Sequence, residues 1–362
     1  MECVRCSVVP PSLPAAPSSI LAFTAVPHIG SAIRKLALDA GLTVDVQPHG
    51  LIALTVPDDA WRPFLAAVEA STSVTERQSV RFAVADPSVT DAMAVAQLVF
   101  SARTAEEWCA GATSQWVRDA IVESRLFSQY QPIVDVRTGQ PYGFESLLRA
   151  RLEDGTVVTA RSIIDGARRL DLLFQLDQHA RLCAVRGAVN GLGTRRLFVN
   201  FLPTVIYNPE HCLATTMAAL KQSGLRPDQV VFEVVESEQI VDRAHLVRIL
   251  DYYRGHGFGV ALDDVGAGYS SLNLLSELKP DLVKLDMELV QAAPGDALRT
   301  GILEAFVQFT ERFGIGLIAE GVEDAETVER LRACGITLMQ GYHFGRPGEL
   351  APQARDAAAS AA

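Results

Sequence analysis

The chain has no apolar run approaching the eighteen or so residues that carry a helix across a bilayer. Its N-terminus lacks the basic-then-apolar pattern of a secretion signal. The expected location is therefore the cytoplasm, with no membrane partner. Positive charge is also short: 32 Lys and Arg stand against 43 Asp and Glu, a formal net charge of −11. No basic face is evident to hold a phosphate backbone, which argues against a DNA or RNA polymer as ligand. A small anionic ligand remains compatible, provided local cations or metal offset the field. Cysteine is sparse and scattered, at 3, 6, 109, 183, 212 and 334. Cys3 and Cys6 form a C-x-x-C pair with no second pair to complete a four-ligand zinc site. They read as free thiols, and the others as small core residues of a reducing compartment. The Gly-rich turn that opens a dinucleotide-binding sheet is missing as well.

What is present is a core. A hydrophobic fraction of 49% in 362 residues suits one large domain plus a small one. Residues 1–19 hold a Pro-rich stretch and read as linker. From Leu21 to residue 104 the pattern runs β-α-β-β-α-β: strands at Leu21–Val26, Leu42–Val46, Leu51–Val56 and Arg81–Val84, helices at Ile29–Ala40 and after a cap at Asp58 or Asp59, then a helix from Asp91 to Phe100. This is the order of a small ferredoxin-like α/β domain, regulatory or dimerising by default. Residues 105–125 read as a helical connector whose Trp108 and Trp116 pack between domains. From Ala351 to residue 362 the Ala-rich tail reads as disordered.

Between residues 126 and 350 strands alternate with helices. Eight candidate strands in about 220 residues give the size of a (β/α)₈ barrel, an α/β fold of the TIM type. The strands are Gln129–Val134, Gly143–Leu148, Leu197–Phe201, Val230–Val235, Phe258–Leu262, Leu282–Leu285, Ile315–Ala319 and Leu338–Tyr342, and one long helix is expected over Ser162–Arg186. Polar residues fall at or near the strand ends: Glu145, Asn200, Glu236, Asp263 with Asp264, Lys284, Glu320 and Gln340. An isolated Asp-Asp pair reads most simply as an acidic turn. In a barrel, however, these strand ends converge on one face, and carboxylates so gathered repel one another unless a cation lies between them. Oxygen donors without Cys or His select Mg²⁺ or Mn²⁺. Lys284 and Arg149 add positive charge for an anionic substrate. Metals, a cation pair and a spare carboxylate suit phosphodiester hydrolysis, with Glu320 placed to take a proton.

The blocks Glu145-Ser146-Leu147-Leu148-Arg149, Val199-Asn200, Glu236-Ser237, Asp263-Asp264-Val265-Gly266-Ala267-Gly268, Lys284-Leu285-Asp286, Ala319-Glu320-Gly321-Val322-Glu323 and Gln340-Gly341-Tyr342 resemble, in order, the signature of EAL domains. These are cyclic di-GMP phosphodiesterases on a barrel whose first strands run antiparallel. The resemblance implies that Glu145, Asn200, Glu236 and Asp263 hold a first metal, and that Asp263 and Asp264 hold a second. It implies Lys284 and Glu320 in catalysis and Gln131, Arg149 and Gln340 at the substrate. Glu323, Asp286, Gly266 and Gly268 would support the site. Two Mg²⁺ or Mn²⁺ ions, cyclic di-GMP as partner, the linear product pGpG and a homodimer through the barrel follow as expectations. A non-catalytic cyclic di-GMP receptor is the alternative. Ser146 departs from the family's Ala, a change expected to face away from the metal. Val265 departs from its Phe, a change expected to loosen the site. No cyclase block precedes the barrel, so synthesis of the dinucleotide is not expected.

Overall fold

The computed structural model describes residues 19–47, 51–57, 60–84, 98, 100, 102–235, 242–266, 271–291 and 296–351. The expected turn at 48–50, the cap at Asp58 or Asp59, most of the helix at 91–100, both chain ends and Glu236 and Gly268 lie outside the described residues. The described residues divide into two units: those up to Glu123 together with Ser162–Leu172, and Ser124–Arg161 together with those from Leu173 onward.

The smaller unit carries strands β1 (Ser19–Thr24), β2 (Thr43–Val46), β3 (Ile52–Thr55), β4 (Val80–Val84) and the two-residue β5 (Arg103–Thr104). They form one antiparallel sheet in the order β2-β3-β1-β4-β5. The first four strands thus follow the ferredoxin-like arrangement, extended by one edge strand. The helix Pro27–Asp39 buries Ile29, Ile33 and Ala37, and Trp61–Ser71 buries Trp61, Phe64, Leu65 and Val68. Both faces recur at three- and four-residue spacing, the mark of one apolar stripe. A short helix the periodicity did not reveal, Val74–Ser79, is set by a capping box in which Ser73 accepts from the Glu76 amide and Glu76 accepts from that of Ser73.

The helix Ala105–Val122 packs into this unit's core and does not stand apart as a linker. Trp108 lies edge-on to Trp61 at 5.1 Å, and its indole N–H donates to the Phe82 carbonyl at 3.2 Å. Trp108 is therefore a core residue of the small unit, contrary to the expectation of packing between domains. Trp116 is half-buried.

The larger unit closes a barrel. Its strands are β6 (Leu126–Asp135), β7 (Gln140–Arg151), β9 (Arg196–Asn200), β10 (Val230–Val235), β11 (Gly259–Val265), β12 (Leu282–Leu285), β13 (Gly316–Ala319) and β14 (Leu338–Gln340), with β8 (Val157–Thr159) hung on the edge of β7. β6 runs antiparallel to both β7 and β14, and the pairs from β7 through β14 are parallel. That closes eight strands with one reversed at the seam. The parallel strands are near-continuous apolar runs because both faces are covered.

The expected long helix over Ser162–Arg186 is two helices, Ala160–Arg169 and Leu173–Ala188. Asp171 breaks them with φ +56, a left-handed conformation Asp tolerates better than most side chains. Two helices beyond the expected set, Ser271–Leu278 and Met287–Val290, follow β11 and β12. Among the described residues, no helix is long and apolar enough to cross a membrane.

Candidate active site

The site grows from consecutive barrel strands. Glu145 on β7 and Gln131 on β6 are direct cross-strand partners, so their side chains emerge on the same face. The neighbouring Ser146 points the other way and bonds the Ser128 hydroxyl at 2.9 Å. The small-for-small change is thus accommodated behind the site. Asn200 closes β9 and donates to Glu145 Oε1 at 3.0 Å. Gln340 closes β14 and donates to Glu145 Oε2 at 2.6 Å and to Gln131 Oε1 at 3.1 Å.

At the centre stands Lys284 on β12, with no exposed surface. Its ammonium lies 2.9 Å from Glu233, 3.1 Å from Asp263, 2.6 Å from Glu320 and 3.4 Å from Glu145. Glu233 was not singled out by the sequence reading, which took Glu236 at the end of the same segment. Glu233 sits inside the apolar run Val230–Val235, is wholly buried, and neither carboxylate oxygen accepts a well-formed hydrogen bond. A lone acid inside a fully apolar barrel strand was the signal that could have found it, since such a charge persists only with partners.

The Asp pair needs a special backbone. Successive strand residues point to opposite faces, so a regular β11 would send Asp264 away from Asp263. The register slips between Leu262 and Val265, and Asp264 takes φ +57. This bulge turns the second carboxylate back toward the first. Gly266 follows at φ +112, where a side chain would be strained and would crowd Leu289. Val265 itself is fully buried in the barrel core.

Four carboxylates around one ammonium leave an excess of negative charge, and the ionisation of each group reflects it. Burial pushes the Glu233 carboxyl well up, with Lys284 opposing and Glu145 and Asp263 reinforcing. Burial also raises Asp263, raises Asp264 to about 6 with help from Asp263, and raises Glu320 to about 8. Glu145 is held below the usual carboxylate range: burial works against its charge, but Lys284 and the amides of Gln340 and Asn200 outweigh it. Burial disfavours the Lys284 charge too, yet Asp263, Glu145, Glu233 and Glu320 drive its proton affinity well above that of free lysine.

Two sets of oxygens lie within 4.8 Å of one another: Glu145, Glu233 and Asp263, and Asp263, Asp264 and Glu320. Asp263 is common to both. These donors, including the Glu233 oxygens that accept no well-formed hydrogen bond, fit hard divalent cations.

A cleft of 310 Å³ opens onto this cluster, lined by Gln131, Glu145, Asp263, Lys284, Glu320, Glu323 and Gln340 together with Met287, Gly321, Gly341 and Tyr342. Arg149 is not among the lining residues. Its guanidinium bonds Gln129 Oε1 at 2.8 Å and the Leu148 carbonyl, although Glu145 and Tyr342 are near enough to act on its charge. Asp286 caps the helix Met287–Val290 by accepting from the Glu288 amide at 2.7 Å.

An EAL domain profile matches residues 114–347. Over 240 residues the chain is 31% identical to the probable cyclic di-GMP phosphodiesterase PdeG of Escherichia coli (strain K12), covering 64% of this chain and 46% of that protein. Over 251 residues it is 29% identical to the cyclic di-GMP phosphodiesterase PdeB of Shewanella oneidensis, covering 65% and 28%. The chain thus spans less than half the length of these curated relatives. The fold is similar, with TM-score 0.56 and 36% identity, to a standalone versatile EAL protein from Vibrio cholerae O395 in its c-di-GMP-bound form, covering 62% of this chain and 92% of that one. With the profile matching well over half of the residues and the barrel shared with that protein, the chain belongs to the EAL domain family.

Proposed function

We propose that this chain hydrolyses cyclic di-GMP to linear pGpG, using two Mg²⁺ or Mn²⁺ ions, under the control of its N-terminal unit. The observation that carries this reading is the set of four carboxylates, three buried and Glu320 half-buried, gathered round one buried ammonium, an arrangement short of positive charge. The phosphodiesterases PdeG and PdeB, to which it is similar, support the substrate.

Linear pGpG carries a 5′-phosphate, so the bond broken is P–O3′: water oxygen adds to phosphorus and O3′ departs, taking up a proton. In this reading Glu145, Asn200, Glu233 and Asp263 hold one ion, Glu233 filling the role expected of Glu236. Asp263 and Asp264 hold the other beside Glu320. Divalent ions there supply Lewis-acid stabilisation of a phosphoryl oxygen and ease deprotonation of water. Glu320, the most exposed of the four acids around Lys284, takes the proton of the attacking water. Lys284 keeps the acids at fixed separations and offers its charge to the phosphate. Gln131, Gln340 and Arg149 orient the substrate, while Glu323 supports the water from the cleft wall. Gly266 and Asp286 hold the chain where it leaves β11 and β12.

The test is cyclic di-GMP turnover by the full chain with Mg²⁺ or Mn²⁺. Appearance of pGpG, abolished by EDTA, is the expected result. Metal-dependent binding of intact dinucleotide without turnover would replace the enzyme with a receptor, and neither binding nor turnover would remove both.

A further inference from the structure

The helix Leu173–Ala188 buries two charges that the chemistry above does not use. Asp177 and Arg181 stand one turn apart, and only 4% and 2% of their surfaces are exposed. Neither lines the cleft. Taking both charges out of water is costly, so their contacts need a reason. Arg181 Nη2 lies 3.1 Å from Asp177 Oδ2 and donates at 3.3 Å to the Cys212 carbonyl in the helix Pro209–Ser223. The other carboxylate oxygen reaches beyond the helices: Asp177 Oδ1 accepts from the Leu202 amide at 2.9 Å. Burial pushes the Asp177 carboxyl up, with Arg181 and that amide opposing.

Leu202 lies two residues beyond Asn200, the last residue of β9. The Phe201 amide still reaches the Glu233 carbonyl at 3.4 Å, and beyond that bond Asp177 supplies the acceptor that the sheet no longer does. The Phe201 ring packs 5.7 Å from Phe232 and 5.5 Å from Tyr253, and Tyr253 is near enough to Arg181 for each to act on the other's charge. Asn200 is thus followed by an anchored ring and an anchored amide. Its own side-chain nitrogen is committed to Glu145 Oε1, which leaves the side-chain oxygen as the atom it can offer a cation. That oxygen carries no formal charge, so its value to a metal depends on where it is held.

We infer that the buried Asp177–Arg181 pair is a positioning device for the metal site, holding the Leu202 amide and through it the place of the Asn200 oxygen. This rests on the proposed two-metal reading and deepens it. The carboxylate is the tether. Arg181 offsets the cost of burying it and ties it to the neighbouring helix. Groups that orient a metal ligand typically change metal affinity or activity about 10–100-fold when they are lost.

Three variants of the full chain test it. Mn²⁺ binding is read from the paramagnetic resonance of the free ion without nucleotide, and melting is followed in EDTA. D177N/R181M leaves no charge in the helix and keeps an oxygen for the Leu202 amide, so its Mn²⁺ dissociation constant stays within about threefold of the parent's. D177L/R181M is equally uncharged but offers no acceptor, and its dissociation constant rises about tenfold or more. D177N alone strands the guanidinium, so it melts about 6–20 °C lower, yet below its melting temperature it binds Mn²⁺ within about threefold of the parent. Equal dissociation constants in the two double variants overturn the positioning role, while Mn²⁺ binding by the parent leaves the functional reading standing. So does affinity lost by D177N in step with its stability, an arm that decides the matter even where D177L/R181M does not fold. A parent chain that binds no Mn²⁺ overturns both.

Discussion

Lys284 is the most informative single residue to change. Lys284→Met keeps an unbranched chain of similar length and removes the ammonium at the centre of Glu145, Glu233, Asp263 and Glu320. Removing one partner of a buried ion pair typically costs about 3–5 kcal/mol, because the partner's charge is left uncompensated. A domain of this size shifts about 2–4 °C per kcal/mol, so the melting temperature in EDTA should fall by about 6–20 °C. A divalent cation reverses part of this, since it takes over the charge the lysine supplied. At a hundred times its dissociation constant a bound ion contributes about 2.7 kcal/mol. The assay is thermal unfolding of parent and variant in EDTA and then across a Mn²⁺ titration, with turnover measured alongside. Melting within a degree of the parent in EDTA would refute the view that the ammonium holds the cluster together. So would a loss that no concentration of Mn²⁺ lessens.

Glu233→Gln should lower turnover by at least about a hundredfold and raise the Mn²⁺ concentration needed for half-activation, read from initial rates. Glu320→Gln should abolish turnover while cyclic di-GMP binding by calorimetry stays within about threefold. In EDTA the parent should lose stability as pH rises from about 5 to 8. The Glu320 carboxyl titrates at about 8 in the fold against 4.5 unperturbed, so over that window the folded state holds the proton that the unfolded state has lost. Melting temperatures that rise with pH there would contradict the placement of Glu320. Gly341→Ala drives a methyl into the Val322 backbone and should cost about 1–3 kcal/mol, with activity falling because Gln340 and Tyr342 shift with it.

The barrel was legible because most of its parallel strands are short apolar runs with a polar residue at, near or just after the C-terminal end, and the bounds of β10 and β12 coincide with the expected positions. The Asp263-Asp264 pair announced itself by adjacency. What adjacency could not convey is the slipped register and positive φ that bring the two side chains together. Glu233 escaped notice for the opposite reason. It is surrounded in sequence by apolar residues, and only the closure of the barrel brings Lys284 to 2.9 Å from it. The helix at 162–186 was drawn too long because apolar spacing continues through Asp171, and the break lies in a backbone conformation that spacing does not encode. Arg169, just before the break, pairs with Glu69 at 2.7 Å and Glu106 at 3.2 Å, contacts between residues too far apart in sequence to be guessed.

The division of the chain into units also bears on how the protein is made. Domains tend to form as they emerge from the ribosome, N-terminal ones first. Here the smaller unit includes Ser162–Leu172, which follows β6 and β7 in the chain. Its last residues are therefore synthesised only after the first two barrel strands are already out. The small sheet waits with Ile163, Ala167 and Leu172 still to come, while the β6–β7 hairpin, antiparallel and local, can pair at once. The order of synthesis thus interleaves the two units, and neither is finished while the other has yet to begin.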